Sequence, residues 1–198
     1  MTDLVVGTAN RDKVHELSEL LAGLPWRVKG LDVFPEMPAP VEDGETFEEN
    51  ALLKAEYYAQ CCGAWCVADD SGLVVDALDG APGVLSARYA GEGCSYADNN
   101  AKLLTALAGV PPAERTARFV CCAAVSSPDG KTRHVERGEV EGHMASACRG
   151  EAGFGYDPLF VPEGHERTFA ELGVAVKQTM SHRARAFGKL RVYLETVV

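Results

Sequence analysis

Trp65-Cys66-Val67-Ala68-Asp69-Asp70-Ser71-Gly72 is the stretch on which the reading of this chain turns. Four apolar residues running into two carboxylates, a hydroxyl and a glycine predict a buried strand over 65–68 that ends where Asp-Ser-Gly turn chemistry begins. That ending puts paired carboxylates at the carboxyl edge of a sheet, where open α/β sheets bind ligands. Immediately upstream, Thr46-Phe47-Glu48-Glu49 is a capping box. Phe47, Ala51, Ala55, Tyr58, Ala59 and Cys62 then supply one apolar helical face up to Gly63.

Toward the N-terminus, Leu4-Val5-Val6 is a short apolar run. Asn10 follows as an N-cap, and Val14, Leu17, Leu21 and Leu24 recur at helical spacing until Gly23 and Pro25 stop the element. Residues 26–33 fit a second strand, and the Pro-rich acidic stretch 34–45 a loop. Toward the C-terminus, Ser95 with Asp98 opens a helix through Leu103, Leu104 and Leu107. Residues 119–126 and 132–140 flank Pro128-Asp129-Gly130 as two antiparallel strands around a tight turn. Thr168-Phe169-Ala170-Glu171 and Ser181 begin further helices, the last with Ala184, Phe187, Leu190, Leu194 and Val197 on one face. Strands and helices interleave, which predicts an α/β protein with a central mixed sheet covered by helices. No repeat and no Gly/Ser-rich linker divides the chain, so residues 1–198 are expected to form a single domain.

Composition narrows the function. With 198 residues, 46% of them apolar, the chain is long enough to bury a core without cross-links. A net charge of −10 has the wrong sign for broad binding to a nucleic acid polymer. The longest strictly apolar run, residues 119–125, falls far short of the ~20 residues of a membrane span, so no membrane partner is expected. Seven cysteines, an odd count without C-x-x-C spacing, fit a reducing, cytoplasmic compartment. Cys121-Cys122 reads as a small apolar pair within a strand. His15, His134, His143 and His165 lack the spacing of a zinc site or a Ser/His/Asp triad.

A small polyanion remains possible, provided local cations and a metal ion hold it. Lys13 lies in the first turn of the first helix, where the dipole opposes a cation and something must compensate. Thr8, Asn10, Lys13 and the open N–H groups of that helix start make a phosphate seat. Glu42 and Asp43, ahead of the capping box, are not explained by the dipole and could reach a divalent ion. Asp69, Asp70 and Ser71 offer hard oxygens that suit Mg2+ and a carboxylate able to take a proton from water. In Gly153-Phe154-Gly155-Tyr156-Asp157-Pro158 the glycines let backbone approach a flat ligand, and Phe154 offers a stacking face. Lys177, His182, Arg183, Arg185, Lys189 and Arg191 then reverse the local charge; His182 and Arg183 stand at a helix start and need an acceptor opposite them.

Taken in order, Thr8-Ala9-Asn10-Arg11-Asp12-Lys13, Thr46-Phe47-Glu48-Glu49-Asn50-Ala51, Ala68-Asp69-Asp70-Ser71-Gly72-Leu73, Pro82-Gly83 with Ser86-Ala87-Arg88-Tyr89, Gly153 to Pro158, and Ser181-His182-Arg183 closely resemble the inosine triphosphate pyrophosphatase family. The resemblance spans residues 4 to about 194. It implies a two-lobed α/β fold with a cleft between the lobes. It also implies a homodimer and Mg2+-dependent hydrolysis of ITP, dITP and XTP to the monophosphate and pyrophosphate. Carried over by position, Thr8, Ala9, Asn10, Arg11, Asp12 and Lys13 match the phosphate-binding opening, and Ser71 a substrate contact. Glu42 matches a metal ligand, and Asp70 a metal ligand that also accepts the proton. Phe154, Gly155, Tyr156, Asp157, Lys177, His182 and Arg183 match the nucleobase pocket. Asn50 and Lys54, one helical turn apart, share a face that can point at the triphosphate. Two departures stand out: Ala9 where glycine is common, and Ala152 in place of a glycine before Gly153. A pyrophosphatase of the same fold for other modified nucleotides, and a nucleotide-binding module without turnover, remain open alternatives.

Overall fold

Strand β1 (Thr2–Val6) lies between β2 (Trp26–Lys29) and β3 (Trp65–Val75) and runs parallel to both, Leu4 standing opposite Val28 on one side and Trp65 on the other. Parallel neighbours need crossovers. Helices α1 (Arg11–Leu20) and α2 (Phe47–Cys62) lie in the two crossovers. In this computed structural model, which describes residues 1–197, strands β4 (Thr116–Ser126), β5 (Arg133–Met144) and β6 (Phe160–Pro162) complete a sheet of order β2-β1-β3-β4-β5-β6. Strand β6 is antiparallel to β5, so the sheet is mixed, as expected.

The chain divides into two compact units. The first holds residues 1–70 and 121–138 and the chain from 183 onward. Period-two alternation assigns its two faces. Leu4, Val6 and Val67 face a core with Leu17 and Leu21 of α1 and with Phe187, Leu190 and Leu194 of α6 (His182–Thr196). Val5 and Cys66 pack instead with Tyr58 and Ala59 of α2. Each large side chain buried here contributes about 1.5–3 kcal/mol. The Trp26 indole donates to the Leu194 carbonyl at 3.0 Å, which ties the far end of α6 to β2.

The second unit holds residues 71–120 and 139–182. Leu73 and Val75 of β3, Leu103 of α3 (Tyr96–Ala106) with Leu107 just after it, Phe119 of β4 and Phe160 of β6 form its core. A Cβ on Gly142 would stand 2.2 Å from the Val161 carbonyl, so only glycine lets β5 and β6 meet there.

The capping boxes at Thr46/Glu49, Ser95/Asp98 and Thr168/Glu171 are all formed, the last opening α4 (Phe169–Leu172), and Asn10 caps α1. Cys121 and Cys122 are buried in β4 as read. Three expectations change. Strand β3 does not stop at residue 68 but continues through Asp69-Asp70-Ser71-Gly72 to Val75, because the carboxylates find cations and Leu73 and Val75 find a core. Strand β2 ends at Lys29, and residues 31–33 form a 3-10 turn after Gly30, since β1 provides pairing partners only along its own short length. Helix α5 (Val174–Met180) had no signature, because its N-cap position is Gly173 with no capping side chain.

Candidate active site

The site is built from the β1 end upward. Gly7 follows β1 and donates to Val67 O at 2.8 Å; a Cβ there would meet Cys66 Sγ at 2.7 Å and Tyr58 Cδ2 at 2.9 Å. Asn10 N–H donates to Thr8 Oγ1 at 3.2 Å, and Asn10 Oδ1 accepts from the N–H groups of Asp12 and Lys13 at 3.0 and 3.3 Å. The carboxamide therefore takes two of the helix-start donors that the sequence left open for a phosphate. Ala9, Arg11 and Asp12 are exposed, whereas Thr8 and Asn10 are half-buried.

Lys13 has its compensation: its Nζ lies 3.1 Å from Asp69 Oδ2. The same oxygen accepts from Nε and Nη2 of Arg183, each at 3.3 Å, and Arg183 also reaches Glu16. Arg183 is the acceptor-seeking cation at the start of α6, and Asp69 and Glu16 answer it. Burial alone would raise the Asp69 pKa, but Lys13 first, then Arg183 and Lys54, hold that carboxyl far below the usual range. Glu16 carried no mark in the sequence beyond sharing a helix face with Lys13. Arg183, matched by resemblance to the base pocket, is thus anchored among the charges of the first unit.

Asp70 is placed differently. Its Oδ1 accepts from Lys54 Nζ at 2.8 Å, and the same ammonium donates to Glu42 Oε2 at 2.9 Å. Asp70 Oδ2 is buried and has no hydrogen-bond partner among the described residues. Burial pushes the Asp70 carboxyl up despite Lys54, and the Lys54 ammonium is held charged because Asp70, Asp69 and Glu42 outweigh its own burial. Two adjacent carboxyls therefore differ in surroundings: Asp69 Oδ2 is shared by Lys13 and Arg183, whereas Asp70 meets Lys54, which it shares with Glu42. The Asn50 carboxamide does not face outward but brackets Gly44, accepting from its N–H at 2.9 Å and donating to its carbonyl at 3.2 Å. It thereby sets the loop that carries Glu42.

This donor set fits a divalent cation. Glu42 and Asp70 already converge on one cationic atom, Asp70 Oδ2 has no partner among the described residues, and both groups are hard carboxylates. No group of three or more His, Cys, Asp or Glu side chains suited to a metal occurs among the described residues. Two carboxylates would leave an ion's remaining positions to water, a donor set that suits Mg2+ better than Zn2+.

A second cluster lies wholly in the second unit. Gly153 and Gly155 have φ of +79° and +63°, and a Cβ on Gly153 would meet Asp157 Oδ2 at 2.1 Å. That oxygen accepts from the Phe154 N–H at 2.9 Å and from Lys177 Nζ at 2.7 Å. The Lys177 ammonium sits 4.4 Å from the centre of the Phe154 ring, whose other neighbour is Tyr96 at 5.9 Å. His182 stacks on Phe119 with ring centres 4.7 Å apart. Tyr156 packs in the core, its hydroxyl donating to Ser86 O at 2.9 Å. Ser71 is half-buried in β3. Tyr96 and Asn100 were missed; Asn100 Nδ2 donates to Tyr96 O and Gly155 O, each at 2.9 Å. Asn100 stands among other polar residues of α3, Asp98, Asn99 and Lys102, so nothing local marked it.

Fold and site together define an α/β protein organised around an acid–lysine centre on its third strand, with an aromatic–cation cluster on a glycine loop. The profile of the Ham1 family matches residues 4–193, and the chain belongs to that family. The chain is 52% identical to the dITP/XTP pyrophosphatase of Geobacter sulfurreducens over 194 residues, 98% of this chain and 97% of the relative. Among solved structures, a HAM1 protein from Coxiella burnetii superimposes with a TM-score of 0.91 at 38% identity, covering 100% of both chains. The Ham1 protein of Staphylococcus aureus gives a TM-score of 0.86 at 39% identity over 98% of each.

Proposed function

We propose that the chain is a nucleoside triphosphate pyrophosphatase that hydrolyses dITP, ITP and XTP to the monophosphate and pyrophosphate, removing non-standard purine nucleotides from the pool. Residues 1–198 would act as one functional domain. Curated relatives at about half identity over nearly the whole chain are dITP/XTP pyrophosphatases. The observation that carries the reading is Asp70: a buried carboxylate oxygen with no partner among the described residues, held beside a lysine and a second carboxylate. Family resemblance also supports a homodimer, and the odd count of cysteines without C-x-x-C spacing supports a reducing, cytoplasmic compartment.

In this reading Glu42 and Asp70 would hold Mg2+, which would supply neutralisation of phosphate charge and polarisation of the phosphorus. Asp70 takes the proton of the attacking water as the new P–O bond forms at the α-phosphate, and pyrophosphate leaves with the broken bridge. Lys54 and the Thr8-to-Lys13 segment offer positive potential to the phosphate oxygens, and Ser71 a hydroxyl. Phe154 stacks on the purine, held by Asp157 and Lys177. Hypoxanthine and xanthine present a 6-oxo acceptor where adenine presents an amino donor, so the donors of Lys177 and His182 pair with the former and are left unpaired by ATP.

The test is pyrophosphate release from ITP, XTP and ATP. With Mg2+, kcat/KM for ITP and XTP is expected to exceed that for ATP by about 100-fold or more, the discrimination of a site with buried donors, and EDTA is expected to abolish turnover. Tight ITP binding without pyrophosphate release would overturn the reading. In a second experiment, Phe154→Ala is expected to raise KM for ITP about 5- to 150-fold, the loss of one stacked base, with kcat little changed; steady-state kinetics checks the split.

A further inference from the structure

We propose that Lys54 is a placeholder cation: its ammonium and a divalent ion are mutually exclusive partners of Glu42 and Asp70, so that metal binding is coupled to nucleotide binding through this side chain. The inference rests on the reading of Glu42 and Asp70 as metal ligands and of a triphosphate as substrate.

The geometry is that of a cation already seated. Lys54 Nζ lies 2.9 Å from Glu42 Oε2 and 2.8 Å from Asp70 Oδ1. The Lys54 and Asp70 side chains are each only 10% exposed, whereas that of Glu42 is 36% exposed and opens the cluster toward solvent. A divalent ion at ~2.1 Å from the same carboxylates would bring three positive charges against two negative ones where water screens poorly. The ammonium therefore has to leave, and its flexible four-carbon stem on α2 allows it to. The other nearby carboxylate, Asp69, already carries two cations, Lys13 and Arg183, on its Oδ2, so most of its charge is answered before Lys54 could turn to it. A substrate phosphate offers Lys54 a seat instead. By taking the ammonium, the nucleotide frees the two carboxylates, and by reciprocity bound metal strengthens nucleotide binding. The free protein would then hold metal weakly until substrate arrives.

The decisive measurement is binding of Mn2+ alone, followed by electron paramagnetic resonance, to the wild type and to Lys54→Met, Lys13→Met and Asp70→Asn. Lys54→Met is expected to bind Mn2+ about 5- to 150-fold more tightly than wild type, the usual span of a coupling between two ligands. Lys13→Met removes an equal charge nearby without vacating Glu42 and Asp70, and is expected to change Mn2+ binding far less than Lys54→Met does. Adding the α,β-methylene analogue of ITP is expected to tighten Mn2+ binding more in wild type than in Lys54→Met. Equal or weaker Mn2+ binding by a folded Lys54→Met would overturn the proposal, as would an equal gain in Lys13→Met, which would mark a general charge effect. If Lys54→Met does not fold, Lys54→Gln carries the same test. Loss of Mn2+ binding in Asp70→Asn keeps the ligand reading whatever Lys54 does; Mn2+ binding unchanged in Asp70→Asn sinks that reading itself.

Discussion

Asp70→Asn is expected to lower kcat for ITP by about 10²- to 10⁴-fold, the usual contribution of a positioned general base, while the protein remains folded and still binds nucleotide. The substitution keeps shape and the oxygen facing Lys54 but removes the proton acceptor and one charge. Asp70 is buried, with Oδ1 on Lys54 and Oδ2 without a partner among the described residues, so the amide replaces no existing hydrogen bond at Oδ2. Its proposed second role as metal ligand is separated by titration: kcat is expected to stay low even at saturating Mn2+. Hydrolysis of ITP at the parental rate would show that the catalytic carboxylate lies elsewhere. Circular dichroism and isothermal calorimetry supply the folding and binding readouts.

Asp69→Ala, one residue away, is expected to act on stability instead. It removes the anion shared by Lys13 and Arg183, and Arg183 is 1% exposed, so water cannot replace the lost partner. Breaking a buried ion network by removing one member typically costs about 3–5 kcal/mol, against a total stability of roughly 5–15 kcal/mol. At about 2–4 °C per kcal/mol for a chain of this size, Tm is expected to fall by roughly 6–20 °C. Because the Asp69 carboxyl is held below its unfolded value, its stabilisation is complete above the unfolded pKa, ~3.9, and is lost as pH falls toward the lower folded value. Urea melts of wild type and variant are therefore expected to differ most near neutrality and to converge below about pH 4. A difference that stays constant down to pH 2 would show that packing, not charge, holds this position. Adding Arg183→Met to Asp69→Ala is expected to recover part of the loss, because it removes one of the stranded cations.

The contrast between these neighbours shows where reading a sequence stops. Helix starts were legible because a cap is a local device: Thr46 and Glu49, Ser95 and Asp98, and Asn10 bond to backbone within three residues. Apolar periodicity likewise assigned the α6 face, since Phe187, Leu190 and Leu194 must all lie toward one core. Strand β3 was cut short because Asp-Asp-Ser-Gly reads as a turn; only cations supplied by other elements let those carboxylates remain in a buried strand. Asn50 shares the helix face of Lys54, yet its amide holds Gly44, a contact that depends on how the acidic loop folds back.

The sequence by itself determined the α/β class, the helix boundaries set by caps, the acidic character and the residue types available for phosphate and base chemistry, because propensity, capping and periodicity act over a turn or two of chain. The family was equally legible, in ordered motifs. Which cations each of the two carboxylates meets was decided only by tertiary structure. Coulomb attraction and burial act over a few ångströms of space, and the partners of Asp69 and Asp70 come from α1, α2 and α6, far away along the chain.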